Sequence, residues 1–74
     1  MEVMILLHIG ELTQQKRIEK EMSQYELAKR VNIDLARIQK LENGTLILSF
    51  AKIVRIAQIL DIDIQELAAF YIFQ

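Results

Sequence analysis

The stretch SQYELAKRVNIDLARIQKLENG, residues 23–44, decides the fold. Caps punctuate it rather than proline, of which the chain has none. Ser23 followed by Glu26 has the spacing of a capping box, in which the hydroxyl accepts a first-turn amide and the carboxylate reaches back to the cap. Asp34 offers the next N-cap, and Gly44 suits the left-handed residue just past a helix end. Leu27, Ala28 and Val31 share one helical face, and Ile38 and Leu41 share another. The spacing predicts helices over 24–31 and 35–43. Four requirements of two short helices crossing at roughly a right angle or somewhat wider are met in order. Ala28 is small where the helices touch, and Asn32 tolerates positive φ in the turn. Ile33 plugs the turn into the core, while Ile38 and Leu41 seat the second helix.

Outward from this pair, Ser49 and the Asp63/Glu66 combination read as further N-caps. They predict helices near 9–20, 49–60 and 64–73. Phe50, Ile53, Val54, Ala57 and Leu60 fall on one face of the fourth helix. Ile64, Leu67, Ala68 and Tyr71 fall on one face of the fifth. The resulting expectation is an all-α bundle of five short helices. Residues 9–68 form its domain, 1–8 an apolar N-terminal segment, and 69–74 an apolar extension of the last helix.

Composition limits the function classes. Seventy-four residues fit one domain, and 53% apolar content is high for so short a chain. The chain lacks cysteine and has one histidine, so neither a disulfide nor a structural zinc site is expected, and a reducing cytoplasm suits it. His8, inside an apolar run, reads as a packed or surface residue and not as a ligand. The run VMILLHI, residues 3–9, is too short to span a bilayer and lacks the features of a signal peptide. A cytoplasmic protein without a membrane partner is therefore expected. There is no Ser/His/Asp set, no Gly-rich phosphate loop and no metal-ligand cluster. We accordingly expect no enzyme, no cofactor and no metal, and no small-molecule effector is evident.

The 23–44 segment resembles the helix-turn-helix of the lambda-repressor/Cro-like family, also called Xre-like. The resemblance begins at Ile9-Gly10 and runs through Lys16-Arg17-Ile18. It is strongest at Ser23-Gln24, Glu26-Leu27-Ala28 and Leu41-Glu42-Asn43-Gly44, and closes with Ile56-Ala57, Leu60-Asp61-Ile62 and Glu66-Leu67. It thus covers about residues 9–68. It implies a five-helix lambda-repressor-like DNA-binding domain whose second motif helix enters the major groove of double-stranded DNA.

Residue by residue, the resemblance implies that Gln24 contacts a phosphate and braces the recognition helix. Asn43 occupies a further backbone-contacting position. Arg17 and Glu42 match a charge pair tying the first helix to the end of the third. Leu35, Ala36, Arg37, Gln39 and Lys40 match the outward positions that approach base edges. Two residues depart from the family pattern. Leu35 and Ala36 stand where polar readers are common; they cannot hydrogen-bond a base, though either can pack on a thymine methyl. Base and phosphate contacts then fall on Arg37, Gln39 and Lys40. Glu21 replaces a customary glycine, which costs roughly 1–2 kcal/mol if that position has positive φ.

Charge and the two apolar ends set the remaining expectations. The chain carries a net charge of −1, so non-specific affinity for DNA is expected to be weak and paired half-sites to be needed. The apolar ends predict a homodimer, with Leu67, Phe70, Tyr71 and Phe73 at the interface. The alternative is that the ends cover each other within one monomer. The function expected is a dimeric transcriptional regulator, such as a repressor, reading a palindromic operator. An antitoxin-like or repressor-antagonist interaction module with weak or no DNA binding stands beside it.

Overall fold

The computed structural model describes the backbone of residues 2–67 and the side chains of 7–67. Four helices precede the start of a fifth: α1 Glu2–Glu19, α2 Gln24–Val31, α3 Leu35–Glu42 and α4 Phe50–Leu60. The fifth, α5, is helical over 64–67, where the described residues end. Among the described residues there is no strand, as an all-α reading requires. No described helix is long and apolar enough to cross a membrane.

The N-terminus departs from expectation. Residues 1–8 were expected as a separate segment, yet α1 is continuous from Glu2 through Glu19. The physical reason is that nothing in VMILLHI breaks a helix: the run has no Gly, Pro or capping residue, so the α1 hydrogen-bond ladder extends backwards through it.

The caps behave largely as read. The Ser23 hydroxyl accepts the Glu26 N–H at 3.0 Å, the Asp34 carboxylate accepts the Arg37 N–H at 3.0 Å, and the Ser49 hydroxyl accepts the Lys52 N–H at 3.4 Å. The capping box, however, is only half formed. The Glu26 carboxylate accepts from Arg30 Nη2 at 2.9 Å, one turn along the exposed face of α2, rather than turning back to Ser23. An i,i+4 partner of opposite charge competes with the cap amide for the same carboxylate.

At their C-terminal ends the four helices share one device. Glu21, Asn32, Gly44 and Asp61 all take positive φ, at 55°, 65°, 76° and 56°. The N–H of each following residue (Met22, Ile33, Thr45, Ile62) reaches back to a carbonyl five residues earlier, at 2.9–3.1 Å. This six-to-one bond closes a helix end and satisfies a carbonyl that the helix leaves open. Met22 and Ile62 are buried and Ile33 partly so, which pins three of the four chain reversals to the core.

The core gathers Ile9, Leu27, Val31, Ile38, Leu41, Ile53, Ile56, Leu60 and Leu67, each at most 2% exposed. Phe50 and Ile64, assigned to inward faces from sequence, are instead 47% and 36% exposed, while Ile56 is fully buried. Each of the two misassigned residues sits in the first turn of its helix, where the chain is still entering from solvent. Gly10 lies where α1 crosses the end of α3: a Cβ there would stand 2.4 Å from the Leu41 carbonyl oxygen. Only glycine lets the two backbones approach this closely. Thr13, one turn further along α1, is fully buried, and among the described residues its hydroxyl has no hydrogen-bond partner.

Candidate nucleic-acid interface

The α2–α3 pair meets through a short turn, and the turn chemistry places the outer face of α3. Asn32 in the left-handed region and Asp34 as N-cap swing α3 away from α2. Ile38 and Leu41 are then drawn into the core at 0% exposure. Because those two anchors face inward, Ala36, Arg37, Gln39, Lys40 and Asn43 are left exposed. Leu35, the first residue of α3, is 37% exposed at the shoulder of the same face. All six outward residues singled out from sequence on α3 and at its end therefore share the solvent side of one short helix. Among the described residues, neither Arg37 nor Lys40 is held in a salt bridge.

The seventh, Gln24, sits at the start of α2, and its Nε2 donates to Glu42 Oε1 at 3.0 Å. That bond joins α2 to the last residue of α3. Glu42 is also gripped by Arg17: Nε donates to Oε2 at 2.8 Å and Nη2 to Oε1 at 3.0 Å. The third donor of the guanidinium, Nη1, holds the Met22 carbonyl at 2.8 Å. The carboxylate thus accepts from α1 and α2 at once, and the guanidinium fixes the α1–α2 turn as well. With side chains 10% and 1% exposed, Arg17 and Glu42 form a buried pair.

Beside α3 lies an open groove lined by Arg37, Leu46, Ile47, Leu48, Ser49 and Lys52. Sequence reasoning overlooked Lys52, which is 15 residues from Arg37 in the chain yet lines the same groove. Its Nζ donates to the Val31 carbonyl at 3.1 Å, tying α4 to the end of α2. An ammonium has three donors, so two are left for another acceptor. The available signal was weak: a lysine three residues after the Ser49 cap, in a helix otherwise read for its apolar face.

The expected dimer contact meets a correction. Leu67 is fully buried within the chain and presents no surface to a second copy. Its periodicity marked a core position, since intramolecular and intermolecular apolar faces look alike in sequence. Phe70, Tyr71 and Phe73 lie outside the described residues. His8 is exposed, and among the described residues no group of three or more His, Asp or Glu side chains is placed to hold a metal.

A family model described as helix-turn-helix (HTH_3) matches residues 14–67. No curated protein matches the chain. Among solved structures, an HTH_3 family transcriptional regulator from Vibrio cholerae superposes with a TM-score of 0.79 at 20% identity, over 95% of this chain. The match covers 39% of that regulator, so this chain corresponds to well under half of its length. At this identity the likeness speaks for the fold.

Proposed function

The chain belongs to the HTH_3 helix-turn-helix family, and from that premise we propose that it is a transcriptional regulator whose α3 enters the major groove of duplex DNA. One observation carries the reading. The outer side of α3 offers Arg37, Gln39 and Lys40 to solvent in two successive turns, while Ile38 and Leu41 anchor the helix from behind. An α-helix fits the major groove, which is about 12 Å wide, and guanidinium, amide and ammonium groups match the acceptors of its base edges and phosphates. Gln24 and Asn43 flank α3 and set its register on the backbone. Lys52, beside Arg37, adds a third cation to that side.

A single module with a net charge of −1 binds DNA weakly, so the working form is a dimer on a palindrome. The half-site centres then lie about 34 Å apart. Selection of bound duplexes from a random pool tests this directly, with a palindrome as the expected product. Affinity for the selected duplex should fall steeply with salt and largely vanish in the Arg37→Ala/Lys40→Ala variant. A variant that binds unchanged removes α3 from the interface.

A second reading has its own support. Leu7, Ile18, Tyr25 and Phe50 are large apolar side chains between 42% and 63% exposed. A chain that enriches no duplex and shows no salt-dependent binding is instead an interaction module using these surfaces.

A further inference from the structure

We propose that Leu35 and Ala36 form a reader for the C5 methyl group of pyrimidines. On this proposal, which rests on α3 being the groove-entering helix, the chain selects thymine over unmethylated pyrimidines at the bases its first turn meets. It accepts 5-methylcytosine at the same positions.

Leu35 and Ala36 occupy the first two positions of α3, and both are exposed. The N-terminal residues of a recognition helix are the ones that reach base edges. Neither side chain carries a donor or an acceptor, so neither can read a base by hydrogen bonding. The major groove offers one apolar recognition feature, the C5 methyl that distinguishes thymine. A leucine side chain left 37% exposed at the tip of this helix has apolar surface to bury against such a methyl.

The neighbouring groups leave that contact undisturbed. The Asp34 carboxylate, one residue before the pair, is engaged with the Arg37 amide at 3.0 Å. Arg37 and Lys40 follow on the exposed side and supply the charged contacts that an apolar pair lacks. Thymine and 5-methylcytosine differ at the exocyclic group on C4, an oxygen acceptor in one and an amino donor in the other. A reader with no polar atom does not sense that difference. Modification of a cytosine in the site therefore becomes a signal that this helix can detect.

The test uses the full chain and a duplex selected from a random pool. Each thymine of a half-site is replaced singly by uracil, which removes the methyl and nothing else. Burying one methylene-sized group is worth about fourfold in affinity, so a loss of about fourfold is expected at one or two positions. The loss should shrink in Leu35→Ala and in Ala36→Ser, with helix content by circular dichroism verifying that both variants fold. At the same positions a 5-methylcytosine–guanine pair should bind about fourfold more tightly than cytosine–guanine. Equal binding of thymine and uracil duplexes at every position overturns the proposal. So does a uracil loss that both variants retain in full, or a selected half-site without thymine. If no duplex is enriched at all, the DNA-binding reading falls and this proposal with it, an outcome separate from a duplex that binds equally well with uracil.

Discussion

Arg17 holds Glu42 with two parallel hydrogen bonds, 2.8 and 3.0 Å long, across 25 residues of sequence. The pair joins the last turn of α1 to the final residue of α3, and Gln24 completes the set from α2. Breaking it from one side leaves an uncompensated charge in a buried setting. Arg17→Ala is therefore expected to lower stability by about 3–5 kcal/mol. The Arg17→Met/Glu42→Leu double substitution should recover most of that loss, because two apolar side chains of similar size replace the pair. Urea unfolding of the three proteins checks both statements. A single variant as stable as the parent would show that the pair contributes little.

Glu21 adopts φ 55°, in the left-handed region where a Cβ crowds the following carbonyl. Its side chain is exposed and makes no hydrogen bond or ion pair among the described residues. Glu21→Gly should therefore raise stability by about 1 kcal/mol, the relief of strain being offset in part by the greater freedom of glycine in the unfolded chain. The midpoint of thermal unfolding should rise by several degrees for a domain of this size.

Gly10 predicts the opposite sign. In a helix, glycine-to-alanine exchange ordinarily stabilises. Here the added methyl would meet the Leu41 carbonyl oxygen at 2.4 Å and the Glu42 carbonyl oxygen at 3.0 Å. Backbone cannot rotate away as a side chain does, so Gly10→Ala should destabilise by roughly 1–3 kcal/mol. It should also loosen the end of α3, read as faster amide exchange near Leu41 and Glu42 than elsewhere in the core.

Thr13 buries a hydroxyl with no partner among the described residues. Valine has nearly the same shape and the same branching, so Thr13→Val should raise stability by about 1 kcal/mol by removing an unsatisfied polar group. Denaturant unfolding provides the measurement. A loss of stability would mean that the hydroxyl has a bonded water or carbonyl in solution.

Much of the architecture was legible in residues 23–44, since that segment carries its own instructions. Ser23, Asn32 and Asp34 act on the backbone within a few residues of themselves, so their effects on α2, the turn and α3 can be read locally. The outward side of α3 followed from the same logic: once Ile38 and Leu41 point inward, helical geometry sends Ala36, Gln39 and Lys40 outward. Sequence also located the left-handed sites at Asn32 and Gly44 and flagged the strain at Glu21. It passed over Asp61, which takes φ 56° at the end of α4 without the glycine or asparagine that usually marks such a site.

The tertiary structure decided what depends on packing at a distance. Apolar periodicity gives each helix a sticky face but does not say what covers it, so Leu67 looked available to a second copy until it was found enclosed by its own chain. That Gly10 has no room for a side chain emerges only where α1 crosses α3 at the Leu41 carbonyl. Lys52 joins the side of Arg37 only because α4 folds back beneath the motif. Sequence determines local conformation through interactions a few residues long. Which faces meet, and which cations share a surface, is set by how the whole core closes.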